Sequence, residues 1–392
     1  MPEVPEATFT PASDEELRVL SRANDFGFAL YQQLRTQPGN LVVSPASIHI
    51  ALGMTYAGAR GETATEMARV LRSEGPSESL HRAYGTALRA WNDTETATLR
   101  VANRIYAEQT ASLESDFVAL TRDSYMAPIA AVDFIHAPEP ARAEINRWVA
   151  ERTRDRIRDL LPAGSILSLT RLVLANAVYF KGTWQTQFES NRTNPDTFYL
   201  ESGGTPSVLM MNARSRFAWA RHRDGVRILE MPYAGGELSM VWLLPEARDG
   251  LAELERNLSS ESLERWRGAL REVEVEVKLP RFRLEPPTIA LSDSLKAMGM
   301  NLAFDPHADF TGIANLPDGL YISDVFHKAF IEVNEEGTEA AAATAVVMMT
   351  RGAPSAAAPE PPRFIADHPF LFALMDRRTG TVLFLGRVTD PR

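Results

Sequence analysis

A chain of 392 residues, 45% apolar and 23% charged, holds enough material for one large core or two ordinary ones and is not a disordered polymer. Its 51 Asp and Glu outnumber 41 Lys and Arg, and the formal charge of −10 argues against non-specific binding to nucleic acid or an anionic membrane. Cysteine is absent, which removes disulfides, thiolate nucleophiles and cysteine metal sites, and no run of eighteen uncharged apolar residues marks a spanning helix.

The opening MPEVPEATFTPASDEELRVL shows no basic region followed by an apolar one, so a cytosolic chain and one whose leader has been removed both fit. Pro2, Pro5 and Pro11 mark residues 1–12 as a flexible tail, with a single domain expected over 13–392. From Ser13 a helix is expected, with Asp14, Glu15 and Glu16 in its first turn and Leu17, Leu20, Phe28 and Tyr31 apolar behind them. Leu41 to Val43 reads as a short buried strand. Ser44 then caps a helix with Pro45 at its first position and Ile48, Leu52 and Tyr56 as a buried stripe. Gly61 breaks the chain before a helix over Glu62 to Leu71. SESLHRAYGTALRAW and LESDFVALTRDSYMA read as helices on either side of a strand, TLRVANRIYAEQ. A charged helix over Glu139 to Leu160 follows, with Ile145, Trp148, Val149 and Ile157 on its apolar side. Its basic and acidic residues alternate, as on a solvated face.

Beyond Leu160 the pattern changes. LVLANAVYFKGTW is a near-continuous apolar run, the mark of a strand buried on both faces. SVLMMNARSRFAWARHRDGVRILEMPYAGGELSMVWLLPEA reads as successive strands with a hairpin at Gly235 and Gly236. Surface helices over Leu251 to Arg267 precede REVEVEVKLPRFRLE, whose alternation puts Val273, Val275, Val277 and Leu279 on one face. A helix over Ile289 to Met298, the strand VFHKAFIEVNEEG and the hairpin HPFLFALMDRRTGTVLFLGRV, turning around Arg377 to Gly380, complete the chain. Helices first and strands later, with no repeat and no long linker, predict an α+β fold with large, mostly antiparallel sheets.

Catalytic signatures are missing. GxSxG, HExxH, GxGxxG and the phosphate-loop pattern do not occur, and the histidines are scattered singly, so no cofactor or metal is expected and an enzyme has no motif behind it. His327, in a strongly apolar strand, reads as a hydrogen-bonded core histidine or as a gate residue in a sheet that must open.

The most informative stretch is EEGTEAAAAT, Glu335 to Thr344, which leads on to a lone Arg351 and a proline-rich segment. In an extended strand Thr338, Ala340, Ala342, Thr344, Val346 and Met348 face one way, uncharged and growing in size. Glu339, Ala341, Ala343, Ala345, Val347 and Met349 face the other. Read locally, the alanines also suit a helix, and the continuation PSAAAPEPP suits a linker. Continuity with the strand VFHKAFIEVNEE favours a segment exposed in one state and slid between strands in another, pivoting at Gly337. About ten new backbone hydrogen bonds at about 1 kcal/mol each, with burial of Val346 and Met348, would rival the about 5–15 kcal/mol that holds an ordinary domain together.

These segments, in this order, resemble the serpins, inhibitors of serine and sometimes cysteine proteases. EEGTEAAAAT is similar to the proximal hinge of that family, and HPFLFALMDRRTGTVLFLGRV to the signature after its reactive-centre loop. NDFGFALYQQL, NLVVSPASIHIALGMTYAGARGET, LVLANAVYFKGTW, KLPRFRLE and MGMNLAFDPHADFTGI complete a set running from Asp25 to Pro391. The resemblance implies N-terminal helices, three β-sheets and an exposed reactive-centre loop, here 337–363. It also implies suicide cleavage: the cut loop enters the central sheet and carries the acyl-linked protease to the far pole before deacylation. The alternative within the same fold is a non-inhibitory binding or storage protein.

On that resemblance Glu335 and Glu336 begin the hinge, Gly337 pivots, and Thr338 is the first side chain to insert. Glu339 faces solvent, and Ala340, Ala341, Ala342, Ala343 and Thr344 keep the path narrow. The family's usual count of seventeen from Glu335 ends at Arg351, so Arg351–Gly352 is the expected scissile bond, with Met349 and Thr350 in adjoining subsites. Arg351 is also the only basic residue between Lys328 and Arg363, as a trypsin-like pocket requires. The following GAPSAAAPEPPRF is longer than in typical members, and cuts at Thr350–Arg351 or Met349–Thr350 would suit other proteases. Ser44, Ser47, Asn176 and His327 match the polar shutter beneath the opening sheet, and Trp184 matches the breach where insertion starts. The implied partner is a trypsin-like serine protease in a covalent 1:1 complex with a monomeric inhibitor. No dense basic face surrounds Ser79 to Arg89, so heparin-type activation is not expected.

Overall fold

The computed structural model describes residues 13–73, 78–92, 97–316, 319–338 and 360–392; the expected tail over 1–12 lies outside them. Ser13 caps helix α1 (Asp14–Leu34) by accepting the Glu16 N–H at 3.2 Å, with the acids of the first turn placed as the helix dipole favours. Strand β1 (Leu41–Val43) leads through Ser44 and Pro45 into α2 (Pro45–Tyr56), where the Ser44 hydroxyl accepts the Ser47 N–H. Helices α3 (Gly61–Val70) and α4 (Glu78–Asn92) come next. Then follow β2 (Ala97–Glu108), α5 (Ser115–Tyr125), β3 (Ala130–Val132) and α6 (Pro138–Arg152).

The second half is mostly strand: β4 (Leu172–Thr183), β5 (Asn194–Thr197), β6 (Ser207–His222), β7 (Val226–Pro232) and β8 (Leu238–Pro245). Helices α7 (Leu251–Arg256) and α8 (Ser260–Gly268) separate these from β9 (Arg271–Pro280), β10 (Phe282–Leu284) and β11 (Ile289–Ala290). After α9 (Ser292–Ala297) come β12 (Asp324–Val333), β13 (Gly337–Thr338), β14 (Arg363–Ile365), β15 (Phe370–Asp376) and β16 (Thr381–Val388). Among the described residues no helix is long and apolar enough to cross a membrane.

Two hydrogen-bonded networks carry the strands. One runs β1-β16-β15-β8-β7-β6-β9-β14, with β5 beside β6; the other runs β10-β12-β13-β4-β2-β3, with β11 beside β12. The three expected sheets become two networks because β6 is long enough to serve both parts of the first. Its middle pairs with β9, while Ala218 to His222 pair with β7. In the second network β4 and β12 lie parallel, from Asp324 opposite Val173 to Phe330 opposite Tyr179. Both faces of β4 are buried, as its apolar run predicts. Leu172, Leu174, Val178 and Phe180 join the main core, whereas Val173, Ala175, Ala177 and Tyr179 pack with Ile145 and Val149 of α6.

Three expected elements differ. Every residue of α2 is buried, so it carries no single stripe: α1, α4, β2, β4 and β16 surround it. Helix α6 stops at Arg152 rather than Leu160. The Thr153 hydroxyl donates to the Val149 carbonyl (2.8 Å) and accepts the Ile157 N–H (3.1 Å), while Arg154 and Asp155 turn into the left-handed region. Ile157 therefore reaches the core from a loop. The helix read over Ile289 to Met298 begins only at Ser292, because Ile289 and Ala290 pair with His327 and Phe326 as β11.

Candidate functional site

β13 is short, but its place is unusual: Thr338 pairs with Val333 of β12 on one side and Gly182 of β4 on the other. Strands β12 and β4, which pair directly along most of their length, are thus held apart at this end by two residues of a third strand. The turn into β13 is set by Asn334, whose side-chain oxygen accepts the N–H groups of Glu336 (3.1 Å) and Gly337 (3.2 Å). Gly337 comes so close to β4 that a Cβ here would collide with the Gly182 carbonyl oxygen. Thr338 is fully buried on the core side, its hydroxyl 2.7 Å from that of Tyr233.

Trp184 closes the same end. It is 1% exposed and stacks on Tyr233 with ring centroids 4.3 Å apart. Its indole N–H donates to the Asn334 carbonyl (3.0 Å) and its backbone N–H to the Glu336 carbonyl (2.8 Å). The Glu335 carboxylate accepts from the Thr193 hydroxyl (2.8 Å) and faces Arg281 at 3.5 Å, while the Glu335 carbonyl accepts the Phe188 N–H (2.8 Å). Glu335, Glu336, Gly337 and Thr338 are therefore all engaged with β4 and the chain that follows it.

A second polar cluster lies farther down, beneath the strands that pair directly. Asn103 of β2, Asn176 of β4 and His327 of β12 stand in one cross-strand row. The Ser44 N–H donates to His327 Nε2 at 3.1 Å, so the ring proton sits on Nδ1 and donates to the Asn176 side-chain oxygen. Asn176 Nδ2 donates to the Ser47 hydroxyl (2.6 Å) and to the Asn103 side-chain oxygen. Ser44 Oγ donates to the Leu383 carbonyl (2.6 Å), tying the cluster to β16. Burial pushes His327 down to about 3, so it is neutral at ordinary pH. A neutral, fully bonded histidine satisfies both readings of this residue, core and gate.

Sequence reasoning grouped Ser44, Ser47, Asn176 and His327, and in the structure hydrogen bonds join them within one network. It missed Asn103, Asn334, Tyr233, Thr193 and Arg281. The available signal for Asn103 was a lone amide inside the apolar strand VANRIY, and for Asn334 a turn-forming side chain before two acids and a glycine. Glu339, Ala340, Ala341, Ala342, Ala343, Thr344, Met349, Thr350, Arg351 and Gly352 lie outside the described residues. Among the described residues no group of three His, Asp or Glu is placed to hold a metal ion.

Comparison with known proteins places this arrangement. A family model for serpin (serine protease inhibitor) matches residues 21–391. The leukocyte elastase inhibitor of Bos taurus is 40% identical over 361 residues, spanning 90% of this chain and 93% of its own. Serpin48, a highly specific serpin of the insect Tenebrio molitor, matches with a TM-score of 0.86 at 32% identity, covering 97% of this chain and 100% of that one. Human thyroxine-binding globulin in complex with thyroxine matches with a TM-score of 0.87 at 26% identity, covering 96% and 99%.

Proposed function

This chain belongs to the serpin family, and from that premise we propose that it is a suicide-substrate inhibitor of trypsin-like serine proteases, cut at Arg351–Gly352. It is an inhibitor consumed by its reaction rather than a catalyst. We read 337–363 as its reactive-centre loop, set within one domain over 13–392. The observation that carries the proposal is β13, in which Gly337 and Thr338 are seated between β12 and β4.

Both pairings of β13 are antiparallel, and their registers can be continued past Thr338. Ala340 then falls between Phe180 and Ile331, Ala342 between Val178 and Ala329, and Thr344 between Asn176 and His327. All face the main core, where only small or neutral side chains fit between the aromatic and aliphatic residues already there. Thr344 would bring a hydroxyl to the polar row as its members part, replacing bonds that insertion breaks. The seven direct pairs between β4 and β12 must open for this to happen. Uncut, the loop is tied to β14 at its far end; cutting frees it.

The chemistry is ordinary acyl transfer up to that point. The protease serine oxygen bonds to the Arg351 carbonyl carbon, and the bond to Gly352 nitrogen breaks, the amine leaving with the serine's proton. Water would then split the ester. Insertion from Thr338 to Arg351 moves the tethered protease roughly 44 Å along the sheet, at about 3.4 Å per residue, before water can act. The alternative on this fold is a non-inhibitory binding or storage protein. The uncharged, proline-free inward set here favours inhibition. Incubation with trypsin should give an SDS-stable 1:1 complex and release a peptide whose mass begins at Gly352. Clean cleavage without a complex would overturn the proposal.

A further inference from the structure

The chain enters β4 through a tight turn that displays two leucines to solvent. Leu167 is 60% exposed and Leu169 69%, the two most exposed large apolar side chains among the described residues. Their exposure is built, because the turn satisfies its own polar groups. The Thr170 N–H donates to the Leu167 carbonyl (2.9 Å), and the Leu167 N–H donates to the buried Thr170 hydroxyl (3.0 Å). The Arg171 guanidinium donates to the carbonyls of Ser168 (2.8 Å) and Thr170 (3.0 Å). Ile166 next door is buried, so the local chain does bring an apolar side chain to the core where the geometry allows.

This turn lies at the end of β4 remote from β13. The register that sets Thr338 opposite Gly182 sets position 348 opposite Leu172, the first residue of β4, so position 351 comes three residues later to the foot of the strand, where this turn lies. We propose that the Leu167–Leu169 turn is a docking surface for the arrested trypsin-like protease, which meets it through the apolar rim of its own active-site cleft. The inference rests on the insertion reading above and adds a contact to it. Because the protease arrives covalently attached, the encounter is intramolecular, and a two-residue apolar contact too weak to bind a free protein acts at an effective concentration in the millimolar range. Holding the distorted protease there slows the recovery of its catalytic geometry and so slows hydrolysis of the ester to Arg351.

The chain has no cysteine, so Leu169→Cys takes a single polarity-sensitive dye. The emission of that dye should shift to the blue when the SDS-stable trypsin complex forms, and shift clearly less when the loop is cut by a protease that escapes, since insertion alone also brings position 351 to the foot of β4. The complex of the Leu167→Ser, Leu169→Ser double variant should release active trypsin at least about threefold faster than wild type, as loss of a tethered contact predicts. A dye that shifts no further in a genuine complex than in the cut, protease-free chain, or equal release rates, would sink the docking surface while leaving trapping intact. A wild-type chain that forms no complex would sink the proposed function itself.

Discussion

The hydroxyls of Tyr233 and Thr338 lie 2.7 Å apart in a buried contact, with Tyr233 in turn stacked on Trp184. On the proposed mechanism this contact sets which face of the loop would enter the sheet. Thr338→Arg would drive a guanidinium against Tyr233, Phe180 and Trp184, where an unpaired charge costs several kcal/mol. The variant should still be cut by trypsin but no longer trap it, raising the number of inhibitor molecules consumed per protease at least about tenfold, since 1.4 kcal/mol already shifts a partition by that factor. Titration of residual trypsin activity measures it. Thr338→Val, of similar shape, should keep most of the trapping.

Glu335 ties the start of the loop to Thr193 and Arg281. Glu335→Lys would set a cation beside Arg281 and lose the Thr193 bond. We expect native stability to fall by about 1–3 kcal/mol and the loop to leave its mooring more readily, seen as a lower melting temperature and faster self-association on mild heating. Arg281→Ala should do less, because that guanidinium is half exposed and shares its field with water.

Acid should weaken the native state in a defined window. Burial lowers His327 to about 3, and His49 and His81 to about 4, from an ordinary 6.5. Below 6.5 the unfolded chain binds protons that the native chain refuses. Their contribution is therefore complete above pH 6.5 and lost as pH falls toward 4, at about 1.4 kcal/mol per unit for each. Denaturant unfolding between pH 6.5 and 4 should show this slope, and His327→Asn should reduce it by about one third if the three act alike.

Cleavage should raise stability rather than lower it. With about ten residues added to the sheet, the cut chain is expected to melt roughly 10–20 °C higher than the intact one. Differential scanning of intact and trypsin-nicked protein compares them directly. A cut form that melts no higher would remove the stored energy on which trapping depends.

Much of this was legible in the residues. The Ser44–Pro45 start of α2, the doubly buried β4 and the alternating β9 follow from capping and periodicity, which are local properties. The polar row beneath the sheet was legible only in part. Asn103 alternates like any half-exposed strand residue, and only the register with Asn176 turns its amide inward. The early end of α6 escaped notice because Thr153 suits a helix interior until its hydroxyl finds Ile157. The wedge of Gly337 and Thr338 was foreseen as a capacity, but its double pairing depends on strands more than a hundred residues apart.

That separation bears on how the chain first folds. Joining β12 to β13 closes only the short Asn334–Gly337 turn, whereas joining β12 to β4 closes a loop of 151 residues between Asn176 and His327. Local hairpins form in microseconds and distant pairings far more slowly. A newly made chain therefore has to complete its slow, long-range parallel contact before the quick hairpin beside it lengthens. If the hairpin lengthens first, the parallel contact is blocked, so refolding from denaturant is expected to yield a mixture of the two outcomes.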